Sequence, residues 1–204
     1  MRKIITILVL ITGLFTAQAQ QLGGVSLDQI KLEAGWGYNL PTAPTEEIEM
    51  SDYAGTNSFY VGANYELNAL WGVRGTYAYN RFEHKDDSKF GTIHHKIMVE
   101  GTFNVLRAIV DKGEEPFELY VHSGLGLSMI NSKLLTKDTD MMATFQIGLL
   151  PTYHLTEQIG VLLDLAYVVN FSQDYGVHGG PAKSNGKSTT GGYLIANVGV
   201  VVKL

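Results

Sequence analysis

Apolar and polar residues alternate along most of this chain, most clearly in the stretch 28–40, DQIKLEAGWGYNL. Ile30, Leu32, Ala34, Trp36, Tyr38 and Leu40 share one parity, while Lys31, Glu33, Gly35, Gly37 and Asn39 share the other. A period of two marks a β-strand whose two faces meet different surroundings. The pattern returns seven times, bounded by polar or turn-forming residues, and predicts further strands over about 58–67, 71–80, 92–105, 117–130, 141–154, 158–171 and 192–204. The connectors LNAL and LTEQ after the second and sixth strands are very short, and LRAIVDKGEEPF after the fourth is moderate. The links after the first, third, fifth and seventh are longer and polar. Tight turns at one end and long loops at the other predict an all-β, eight-stranded antiparallel up-and-down barrel of the membrane-spanning kind.

Alternation alone does not say which face is outside, since a soluble barrel of the lipocalin kind turns its apolar face inward. Strand length favours the membrane: about 12 residues rising about 3.3 Å each at a tilt near 40° cover about 30 Å along the axis. Aromatic residues on the apolar face gather at the strand ends. Tyr65, Trp71, Phe103, Phe117 and Tyr153 fall on the short-turn side, and Trp36, Tyr38, Phe59, Tyr77, Tyr79, Tyr167 and Phe171 on the long-loop side. Two such belts suit rings placed at two membrane interfaces. The polar face mixes glycines and large residues with a limited set of charges: Lys31, Glu33, Glu66, Arg74, Lys96, Glu100, Glu118 and Asp164. Most of these charges sit three to six residues from the short-turn end and so share one level of a closed lumen, where they form an expected ion-pair network, because buried charge is tolerated only when paired.

Composition adds the compartment. Arg2 and Lys3 precede an apolar run from Ile4 to about Phe15 and the triplet Ala17-Gln18-Ala19, the layout of a cleavable signal peptide over residues 1–19. The barrel domain is then expected over 20–204, and no cysteine is present to carry a lipid anchor or a disulfide. Setting aside Arg2 and Lys3 leaves 13 Lys and Arg against 20 Asp and Glu, a net charge of −7. A mildly acidic exported chain without a basic stripe is not a nucleic-acid binder.

With signal, eight amphipathic strands, aromatic belts, sorted loops and an apolar last strand, the sequence resembles the small OmpA/OmpX-type, porin-family outer-membrane barrels of Gram-negative bacteria. The resemblance implies an outer-membrane location among lipid and lipopolysaccharide, and a structural or surface role through four long external loops, with a narrow solute path at most. It also implies that the last strand, YLIANVGVVVKL, addresses the barrel-assembly machinery, although that strand ends in Leu204 where the family usually has an aromatic residue. The loops are the expected place for a surface ligand. The peptidoglycan-binding domain of full-length OmpA proteins is expected to be absent, since the sequence stops at Leu204.

Some barrels of this size act on lipid A, and the chain holds several residues of the types such chemistry uses. His94 and His95 are neighbours on a strand and point to opposite faces, which defeats chelation by the pair. His122 is expected to face the lumen beside Glu118 as a member of the polar core, and Ser123 the lipid, so nucleophile and base do not share a side. Ser172, Asp174 and His178 in the last loop, and Glu83, His84, Asp86 and Asp87 in the second long loop, have the irregular spacing of solvated loop residues. The expectation is a non-enzymatic barrel without cofactor or metal. A lipid A-modifying enzyme and a soluble lipocalin-like binder are the alternatives.

Overall fold

The computed structural model describes residues 26–44, 48–110, 116–135, 139–182 and 188–204. The expected signal peptide, residues 1–19, lies outside them. Eight strands follow in order: β1 (Ile30–Ala43), β2 (Gly55–Glu66), β3 (Trp71–Glu83), β4 (Gly91–Asn104), β5 (Phe117–Ser132), β6 (Thr139–His154), β7 (Ile159–Gln173) and β8 (Thr189–Lys203). Each pairs antiparallel with its sequence neighbour, and β1 closes the barrel on β8, with Leu32 opposite Val202 and Trp36 opposite Val198. Closure leaves no strand edge unpaired, the condition for a sheet in hydrocarbon.

The tight turns are built by side chains. Asn68 Oδ1 accepts from the backbone of Leu70 (2.9 Å) and Trp71 (3.0 Å), fixing the β2–β3 reversal. Thr156 Oγ1 does the same for Gln158 and Ile159 before β7. Short polar side chains that bond backbone two or three residues on are what such turns require. After β4 the chain forms one short helix, α1 (Val105–Ile109), where the alternation predicts strand as far as 105. Asn104 Oδ1 accepts from Arg107 N at 3.0 Å and caps it, which stops the strand.

At the long-loop end several strands run further than the apolar alternation predicts: β1 reaches Ala43, β3 Glu83, β5 Ser132 and β7 Gln173, and β2 begins at Gly55. The added residues include Thr42, Asn57, Glu83 and Asn131 on the outward parity. Above the lipid, an outward polar residue costs nothing, so pairing continues where the hydrophobic signal has ended.

The outward and inward faces separate cleanly. Trp36, Val161 and Val200 are 59%, 39% and 50% exposed, whereas Glu33, Arg74 and Asp164 are 5%, 0% and 2% exposed. The apolar face therefore meets the surroundings and the polar face fills the barrel. Inside, one buried apolar cluster (Tyr60, Ala78, Tyr120, Leu150, Leu162, Val201) packs among the charges, and a second (Phe82, Ala166, Val168, Tyr193, Ile195 with Tyr53 and Val177) lies under the long loops.

A substitution distinguishes this lipid face from a solvated one. Val99 points outward, midway along β4 between Phe103 and His95. Val99→Arg is expected to lower stability in lipid vesicles by about 2–4 kcal/mol, the cost of a cation at the bilayer midplane. Urea unfolding measures it, and a barrel surrounded by water would show no loss.

Candidate functional site

Arg74 on β3 is the hub of the lumen. Its Nε donates to Glu33 Oε2 at 3.0 Å, one amino group reaches Asp164 Oδ2 at 2.7 Å and Glu33 Oε2 at 2.8 Å, and the other reaches Glu100 Oε2 at 3.3 Å. Its guanidinium also lies over the Tyr60 ring, 5.2 Å from the centroid. Glu33 comes from β1, Glu100 from β4 and Asp164 from β7, so one planar cation ties distant walls of the barrel together. The fork of guanidinium donors allows one side chain to serve three carboxylates.

A second tier sits nearer the short turns. Lys31 Nζ reaches Glu66 Oε1 at 2.8 Å, Glu118 Oε2 at 3.1 Å and Tyr120 OH at 3.0 Å, and His154 Nε2 lies 2.6 Å from Glu118 Oε2. The sequence pattern predicts most of the eight charges at one level, and the structure divides them into two. Lys31 and Glu33 are successive inward residues of one strand, about 7 Å apart along it, and so belong to successive layers. Lys96 differs as well. Among the described residues it has no carboxylate within ion-pair distance; its ammonium donates to Gln146 Oε1, and Gln146 Nε2 donates to Glu100 Oε1 at 3.0 Å. A neutral amide thus relays Lys96 to the network, because the two stand on β4 and β6 with only Gly124 of β5 between Glu100 and Gln146 in the ladder.

Three members are not identified as partners by the sequence. His122 Nδ1 lies 2.8 Å from Glu100 Oε1, and its Nε2 lies 3.3 Å from Asp164 Oδ1 without hydrogen-bond geometry. Gly148 makes room for that ring, since a Cβ there would stand 2.4 Å from His122 Nε2. Gln146 and His154 are the others. Inward parity marks all three, and only the strand register shows whom they meet.

The long-loop end is closed by a cap. The turn Met50–Tyr53 and the segment 174–182 fold over the mouth and bury Tyr53, Tyr175, Val177 and Ala182. Backbone bonds stitch the loops together: Lys85 N to Asp52 O (2.9 Å), Gly91 N to His178 O (3.1 Å) and Lys133 N to Gly91 O (3.0 Å). Asp174 N donates to Asp140 Oδ2 at 2.6 Å, and Ser132 Oγ to Gly179 O. Asp52 also pairs with Lys85 at 2.6 Å, and this carboxylate holds the Lys85 ammonium above the ordinary lysine range.

The twelve aromatic residues expected in belts all stand on outward positions. Trp36, Tyr38, Phe59, Trp71, Tyr77, Phe117, Tyr153, Tyr167 and Phe171 are exposed, and Tyr65, Tyr79 and Phe103 are half-buried. Trp71 packs against Phe103 with centroids 4.5 Å apart and ring planes inclined by 44°, and Phe117 pairs with Tyr153 across the ladder. His94 is buried beside Thr92, while His95 faces outward against Tyr77 OH at 2.8 Å. Among the described residues no group of three His, Cys, Asp or Glu side chains is placed to hold a metal ion.

Among solved structures the chain is similar to Neisserial surface protein A, with a TM-score of 0.57 at 14% identity over 86% of this chain and 97% of that one. The fold is that of the small outer-membrane barrels. A major outer membrane protein from Thermus thermophilus gives a TM-score of 0.51 at 13% identity over 85% of this chain and 97% of that one. No protein-family model matches the chain, and no curated protein does. Among the described residues the Arg74 tier is interior to the barrel, while the Lys31 tier lines a cavity open at the short-turn end together with Glu66, Glu118 and His154.

Proposed function

We propose that the protein is an exported, non-enzymatic outer-membrane barrel that strengthens the envelope and offers its stitched loop cap for contacts outside the cell. The observation that carries this reading is the filling of the lumen. Arg74, Lys96, Met98, Glu100 and His122 are fully buried across the middle, and the described cap residues pack on an apolar cluster at the long-loop end. Eight strands leave room for side chains and no water column. Solute passage is thereby disfavoured, and the outward surfaces become the working parts.

Purified protein in a planar bilayer is expected to give no steady conductance, and a stable open level would overturn this reading. Lipid A from cells with and without the protein is expected to have the same mass profile. An altered acyl pattern would favour the enzymatic alternative. Detergent extraction and heat-dependent gel migration test the membrane placement itself.

A further inference from the structure

Among the described strand residues, formal charge reaches the outward face at one place, the long-loop edge of β3 to β5. On the outward parity of β3, Arg81 and Glu83 follow the belt residues Tyr77 and Tyr79, and among the described strand residues these are the outward ones with formal charge. Lys133, just after β5, completes a cluster. Its Nζ reaches Glu83 Oε1 at 2.6 Å, and Arg81 pairs with Glu83 Oε2. Gly91 of β4 stands between Glu83 and Lys133 in the ladder and has no side chain to separate them. Two cations share one carboxylate, so the cluster carries a net positive charge. Arg81 Nε is shielded from water and has no hydrogen-bond partner.

We propose that this cluster is a binding site for the phosphate group of an anionic membrane lipid, one whose headgroup carries no cation of its own, in the leaflet facing the long loops. The proposal rests on the membrane-barrel reading above. Height along the axis supports it. Ten residues separate Trp71, in the short-turn belt, from Arg81; at about 3.3 Å each and a tilt near 40° they span about 25 Å, the full height of the apolar band of such barrels. Arg81 therefore stands where hydrocarbon gives way to headgroups. A cation deeper in the wall would be costly, and one higher would meet only water. A guanidinium edge beside an ammonium is the donor set that phosphate oxygens accept from. Beneath it the Tyr77–His95 pair and the Tyr79 ring supply an apolar and aromatic wall for the upper acyl chain.

The test uses the barrel in nanodiscs of phosphatidylcholine mixed with phosphatidylglycerol, with native mass spectrometry counting the lipids that stay bound on release. The unaltered protein is expected to retain phosphatidylglycerol several-fold over its share of the mixture. The double variant Arg81→Gln/Lys133→Gln is expected to fall to that share, and Glu83→Gln, which removes the cluster's only carboxylate, to retain more. Loss of the preference in Glu83→Gln as well would show a merely structural role and overturn the proposal. So would equal retention of both lipids by the unaltered protein, or displacement of the lipid by inorganic phosphate at matched concentration, which would mark a site for the free anion. Failure to enter the bilayer defeats the barrel reading together with this one; entry without lipid preference defeats this one alone.

Discussion

Arg74→Ala is expected to lower the unfolding free energy by about 3–5 kcal/mol, the cost of leaving buried charges without their counterion. Three carboxylates, on Glu33, Glu100 and Asp164, lose a partner together, and none can turn to solvent because each is at most 5% exposed. Arg74→Lys should recover only part of the loss, since one ammonium cannot match the planar fork that reaches three walls. Arg74→Met combined with Glu33→Gln, Glu100→Gln and Asp164→Asn should recover part of it, because the hub's four charges and their desolvation penalty go together while buried Lys96 is left without the carboxylate that Gln146 relays it to. Urea titration in lipid vesicles, followed by fluorescence of Trp36 and Trp71, reads all three. An unchanged midpoint in Arg74→Ala would mean that the network is not what holds the lumen.

Phe82→Ala should cost about 3–5 kcal/mol, as deletion of a buried aromatic side chain does when the surroundings cannot close in. Phe82 is 1% exposed and meets His94 and Tyr193 edge-on at 4.9 and 5.1 Å between centroids. A water-sized cavity already lies beside it, lined by His94, Gln173, Val177 and Tyr193, so truncation enlarges a void. Val177 belongs to the cap, and the same cluster holds Tyr53. The variant should therefore loosen the cap as well as the barrel, with faster proteolytic nicking in the loops than Arg74→Ala shows at equal stability. Equal nicking rates would disconnect the cap from the cluster beneath it.

Strand number, face assignment and closure were legible because β-parity is a local property. Leu32, Trp36, Val161 and Val200 announce their side of the sheet within a few residues of sequence. Partnership was less legible, since it depends on register between strands far apart in the chain. Arg74 and Asp164 are 90 positions apart, and nothing near either names the other. The same holds for His122, whose inward parity was plain and whose two carboxylate neighbours were not. Lys96 looks like any lumen cation in sequence, but Gln146 on β6 takes its ammonium. The cap was hidden for a different reason: segment 174–182 is short and rich in Gly, with no periodicity to betray that Tyr175 and Val177 turn inward. The helix α1 lies in a stretch with the β-like residues Val105, Ile109 and Val110, and its N-cap Asn104 was the available signal.

The placement of the three carboxylates around Arg74 has a consequence for biogenesis. They stand on the first, fourth and seventh strands: Glu100 is the ladder neighbour of Arg74, Glu33 is two strands away, and Asp164 is four strands away and is reached across the lumen. The contact with Asp164 therefore requires the sheet to curl into a cylinder. The hub thereby works as a latch that rewards the closed cylinder over an open sheet, in which Asp164 and Arg74 would stand apart.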